Sequence, residues 1–149
     1  VLLTPFLPVL SLIGTFSAGS LAQSLIPPFR LLVYSFLGVA VAGVAFFMSV
    51  QVGTGVSVVA LVLLFLGGLS GGASFALIPY LSHEKLFQVR ANGALAQLAN
   101  VGSTVGPPLF AGAISHFGVQ GLVVPLMCFA VLGGCVVMCA ERYLHRHAE

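Results

Sequence analysis

Charge is what this sequence has least of. Only 5% of its 149 residues are Asp, Glu, Lys or Arg, against about 25% in ordinary soluble domains. A soluble domain of this size must cover its surface with polar groups, and eight charges cannot do that. The opposite argument excludes disorder, because the chain is too apolar to stay solvated. Cysteine is also scarce, and three thiols in so apolar a chain do not suggest a disulfide framework. There is no H-E-x-x-H, no G-x-S-x-G and no P-loop. A net charge of +2 gives no footing for a nucleic-acid partner.

What is abundant is apolar surface. Hydrophobic residues make up 59%, with 18 glycines and 12 phenylalanines, and mean hydropathy is +1.16. That composition describes an all-α, multi-span integral membrane protein whose first partner is the lipid bilayer. The formal charges form three islands: Arg30; Glu84, Lys85 and Arg90; and Glu141, Arg142, Arg146 and Glu149. A crossing helix needs about 20 apolar residues. The uncharged stretch 1–29 therefore holds one span, whereas 31–83 and 91–140 each hold two. Turn chemistry divides the long stretches at Gln51–Gly55 and Ser115–Gly121. The expected spans are 1–22, 31–50, 56–81, 91–114 and 121–140, with 141–149 a short tail.

This alternation puts all five Lys and Arg residues on one side of the membrane. By the positive-inside rule that side is cytoplasmic, so the C-terminus is inside and the first helix enters from outside. The chain begins at Val1 and is hydrophobic at once, without the basic region and cleavage site of a signal peptide. The expectation is a C-terminal piece of a longer protein.

No Asp, Glu, Lys or Arg falls inside any expected span. An intramembrane charge would mark a proton or ion pathway, and none is present. An intramembrane enzyme would need an acid, base, nucleophile or metal set, so the chain reads as a non-enzyme that requires no cofactor. Cys128, Cys135 and Cys139 share one face of the fifth span and read as small buried hydrophobes rather than metal ligands. The second and fifth spans are apolar nearly all round and should face lipid.

The fourth span has the most structured pattern. At about 100° per residue, Gly93, Gln97, Asn100 and Thr104 fall within an arc of roughly 60°. The opposite face carries Ala99, Gly102, Gly106 and Ala113. The polar stripe suits either interhelical hydrogen bonding or an aqueous cavity in which Gln97, Asn100 and Thr104 touch a small-molecule substrate. The small-residue face suits close helix contact. Pro107 and Pro108 remove backbone donors and should bend or loosen the helix. In the third span, Gly67-Gly68-Leu69-Ser70-Gly71-Gly72-Ala73-Ser74 allows close packing or, around Gly71 and Gly72, a gating bend.

The segment Gly102-Ser103-Thr104-Val105-Gly106-Pro107, followed by Gly112, resembles the G-x-x-x-G-P-x-x-G element of major facilitator superfamily transporters. Arg90-Ala91-Asn92-Gly93 looks like the cytoplasmic beginning of the same helix in bacterial members. Gly19-Ser20-Leu21-Ala22-Gln23, with Arg30 after it, resembles the family's cytoplasmic gate loop, with Gln23 where the family has Asp. The resemblance implies helices eight to twelve of a twelve-helix transporter. On that count residues 1–140 are a partial C-terminal six-helix half, lacking the first helix of that half and the whole N-terminal half. It also implies a bacterial inner membrane, transport by alternating access, and a fragment inactive alone, because five helices cannot form both walls of a midplane site. The gate candidates it implies are Gly19, Gln23, Arg30 and Arg90. The alternative to transport is a small membrane scaffold or assembly subunit that docks other helices on its glycine faces.

Overall fold

The computed structural model describes residues 7–147, all helical apart from four short connections. Five helices follow in order: α1 (Leu7–Ser24), α2 (Pro28–Val52), α3 (Val56–Leu81), α4 (Lys85–Phe117) and α5 (Gln120–His147). Residues 1–6 of the first expected span lie outside the described residues.

The helix limits follow from local chemistry. α2 begins three residues before its expected span because Pro28 sits in the first turn, where a missing N–H costs nothing and a fixed φ is already helical. It ends at Gly53, whose φ of 75° lets its N–H bond the Ser49 carbonyl at 2.9 Å. Gln51 and Val52, expected in the turn, are thus still helical, and the turn contracts to Gly53-Thr54-Gly55. α3 matches its expected bounds. α4 runs from Lys85 to Phe117 and is longer than its span at both ends. It stops at Gly118, whose φ is +61° and whose N–H reaches the Ile114 carbonyl at 2.8 Å. Ser115, His116 and Phe117 therefore belong to the helix, not to the turn. α5 likewise continues through 141–147, so the expected separate tail is the last two turns of a helix. Charged residues do not end a helix.

In space the order is α1, α3, α2, α5, with α4 attached to α5 and α3. The core lies where α1, α2 and α3 meet, around Ala18, Leu31, Leu32, Leu69 and Ala73. Small residues bring α1 and α3 together. A methyl at Gly14 would strike the Phe65 carbonyl, one at Gly68 the Ser11 carbonyl, and one at Gly72 the Thr15 carbonyl. Thr15 Oγ1 donates to the Ser11 carbonyl at 3.0 Å and to the Gly68 carbonyl at 3.1 Å, and the second contact crosses between the helices.

α2 is not apolar on all sides to the same purpose. One face, including Leu31, Leu32, Ser35, Val39 and Ala42, is buried, while Tyr34, Leu37, Val41 and Met48 remain exposed. Ser35 is 1% exposed and satisfies its hydroxyl on the Leu32 carbonyl at 2.8 Å. Gly38 admits the Leu66 side chain of α3, and Gly133 of α5 admits the Phe36 ring of α2.

Candidate functional site

α4 stands apart from this packing. It contributes no buried residue. Gln97, Asn100 and Thr104 are exposed and share the face expected from their spacing. Gly93, Gly102, Pro107 and Pro108 are exposed as well, and Gly106 is half-buried. A Cβ at Gly93, Gly102, Gly106 or Gly112 would meet nothing within 4 Å. The polar stripe of α4 is therefore left open by the described part of the chain, and its small-residue face is met only at its far end, where Gly121 of α5 lies against the Ala113 carbonyl.

The chemistry of the stripe is that of neutral hydrogen bonding. Ser103 and Thr104 turn their hydroxyl protons back to the Ala99 and Asn100 carbonyls, both at 2.9 Å, as short polar side chains do in an apolar helix. Thr104 is left to accept. The Gln97 and Asn100 amides engage no described residue, so each offers two N–H donors and a carbonyl acceptor. Pro107 and Pro108 have no N–H, which deprives the Ser103 and Thr104 carbonyls of their ordinary donors four residues on. The helix nonetheless continues through both prolines; the expected loosening does not break it. No formal charge lies between Arg90 and Glu141.

A second recess lies where the C-terminal ends of α1 and α3 meet the beginning of α2. It is an open cleft of about 520 Å³ bordered by Thr15, Gly19, Gln23, Gly72, Phe75 and Tyr80. Gly19 and Gln23, from the gate-loop candidates, thus share one cleft, and Arg30 and Arg90 are exposed but do not border it. Tyr80 meets Phe29 edge to face, with ring centroids 6.0 Å apart. Thr15 and Phe75 were not singled out from the sequence. The signal was present for Thr15, because Ser11, Thr15 and Gly19 recur every four residues on one face of α1.

Of the glycines in the third span, Gly68 and Gly72 are packing contacts, while Gly67 and Gly71 face open space. α3 is unbroken through this run, including Pro79. Cys128, Cys135 and Cys139 are free and exposed, not buried as expected, because they lie on a face of α5 that the described residues leave uncovered. Among the described residues no His, Cys, Asp and Glu side chains converge in a set able to hold a metal ion.

Three of the helices, Pro28–Val52, Val56–Leu81 and the Gln120–Leu144 part of α5, are long and apolar enough to cross a bilayer. They put the chain in the class of helical membrane proteins. No protein-family model, no curated protein and no solved structure matches it.

Proposed function

We propose that this chain is part of a major facilitator transporter, corresponding to helices eight to twelve, and that α4 supplies part of the wall of the path taken by a small solute. The observation that carries this reading is the open polar face of α4. Gln97 and Asn100 present unengaged amides, on a helix with no buried residue, inside a chain otherwise built to meet lipid. An unsatisfied amide against hydrocarbon costs several kcal/mol, of the order of 2 or more. Such a face is retained where water, a substrate or another part of the protein covers it.

On this reading α1 and α4 also cross the membrane, although they are more polar than the other three, because both border an aqueous cavity. The C-terminus is cytoplasmic, and the membrane is the bacterial inner membrane. Gln97 and Asn100 hydrogen-bond the solute, Thr104 accepts from it, and Gly102, Gly106, Pro107 and Pro108 shape the helix. Alternating access comes from rocking this half against the N-terminal half. The five helices do not transport by themselves.

Two experiments test the reading. The reading frame upstream of the Val1 codon is expected to encode about seven more hydrophobic spans. A stop codon followed closely by a start would sink it. In the whole transporter, Asn100→Leu is expected to lower solute flux at unchanged expression, measured in membrane vesicles. Unchanged flux would remove Asn100 from the cavity wall.

The open space over Gly102 and Gly106 favours a second reading, a scaffold subunit that docks a partner helix there. It predicts a stable hetero-complex lost on Gly106→Leu and no solute flux under any condition.

A further inference from the structure

The seam between α1 and α3 is closed over only part of its length. The two helices run parallel, with Ser11 against Gly68 and Thr15 against Gly72. An added methyl at Gly72 would strike the Thr15 carbonyl and the Ala18 side chain, whereas at Gly19, one turn beyond Thr15, it would meet nothing within 4 Å. Gly19 borders the open cleft of about 520 Å³, which continues from Thr15 and Gly72 to Gln23 and Tyr80. Thr15 to Gln23 and Gly72 to Tyr80 each cover about 12 Å at the rise of an α-helix. The cleft is therefore a slot two turns long, closed at one end by the packed seam.

No residue of its lining carries a formal charge, so an ion entering it would lose water and gain no counter-charge. Hydrogen-bonding groups are present all the same, and unspent. Pro79 has no N–H, which deprives the Phe75 carbonyl of its ordinary donor, and both residues border the cleft. The Gln23 amide and the Tyr80 hydroxyl border it too and hydrogen-bond no described residue. Phe75 and Tyr80 add exposed aromatic rings. The Thr15 hydroxyl is already spent on the Ser11 and Gly68 carbonyls.

We infer that this cleft binds a small uncharged molecule that carries an aromatic ring and a hydroxyl or N–H donor. The ring packs against Phe75 and Pro79, and the Phe75 carbonyl and Gln23 side chain are the acceptors open to the donor. The cleft volume falls in the usual range of small-molecule sites, about 300–1,000 Å³. A lipid acyl chain would leave the Phe75 carbonyl, Gln23 and Tyr80 without partners, and a phosphate would find no cation. The inference does not rest on transport, because the cleft uses no residue of the α4 stripe.

The test uses the full chain in detergent micelles with para-(hydroxymethyl)benzophenone, a neutral photoactivatable probe, followed by mapping of the labelled peptides. Saturable label is expected on peptides containing Gln23 and Phe75. Excess para-phenylbenzyl alcohol is expected to suppress it, whereas para-phenylbenzoate, of similar size but charged at neutral pH, is not. The methyl ether of the probe has no O–H and is expected to bind about fivefold less tightly, the worth of one hydrogen bond. Gly19→Phe puts a ring into the cleft without striking backbone and is expected to abolish the saturable label. Label that does not saturate, label spread equally over α2, α4 and α5, or saturable label that survives Gly19→Phe would overturn the site. Equal competition by the carboxylate, or equal affinity of the ether, would overturn the class of ligand. If circular dichroism shows that Gly19→Phe does not fold, saturation and competition on the wild-type chain decide.

Discussion

α3 and α4 are both rich in glycine and small polar residues, yet they use them in opposite ways. On α3, Gly68 and Gly72 let the α1 backbone approach until added methyl groups would strike its carbonyls. On α4, Gly93, Gly102, Gly106 and Gly112 meet nothing, and the helix buries no residue. A glycine stripe therefore shows that a helix permits close approach. Whether anything approaches depends on the rest of the assembly. α3 finds its partner in α1, whereas α4 displays a hydrogen-bonding face that the described chain leaves open and a small-residue face that meets α5 only at Ala113.

The sharpest way to break this contrast is to fill both stripes. Gly68→Leu drives a side chain into the Ser11 carbonyl of α1, where backbone cannot yield as a side-chain end can. It is expected to cost about 3 kcal/mol, read as a shift in the unfolding midpoint by circular dichroism in micelles. A milder probe is Thr15→Val, which removes the hydroxyl bonded to Gly68 across the α1–α3 seam. Interhelical hydrogen bonds in membranes average about 0.6 kcal/mol, and a loss of that order is expected in the same titration. The smallest effect is expected for Gly106→Leu on α4. With open space above it, the chain should change by less than about 1 kcal/mol, toward greater stability, because glycine is the poorer helix former. A loss as large as that of Gly68→Leu would show that something covers the α4 face after all.

Much of the architecture was legible because its causes are local. The α3 bounds could be read from Gly53-Thr54-Gly55 on one side and Ser82-His83-Glu84 on the other, since glycine turns and charge interrupt an apolar run wherever it packs. The departures at the charged ends share one cause, the equation of a membrane span with a helix. The expected fourth span begins after Arg90 and the expected fifth stops before Glu141, but Lys85–Arg90 and Glu141–His147 are helical as well. The α4 stripe was legible from spacing alone, because a helix of fixed pitch must place Gln97, Asn100 and Thr104 together. Phe75 is not legible in the same way, because its importance comes from α3 and α1 lying side by side, which neither segment encodes alone.

The division follows from the range of the forces. Composition by itself determined the class, since an apolar chain with so few charges must leave water, and the helical ends followed from glycine, proline and local hydrogen bonding. Only the tertiary structure decided which glycines are seams, which face of α2 is buried, and that Gln23, Phe75 and Tyr80 border one cleft. Those facts depend on which helices touch, and contact between helices is a property of pairs of surfaces far apart in the chain.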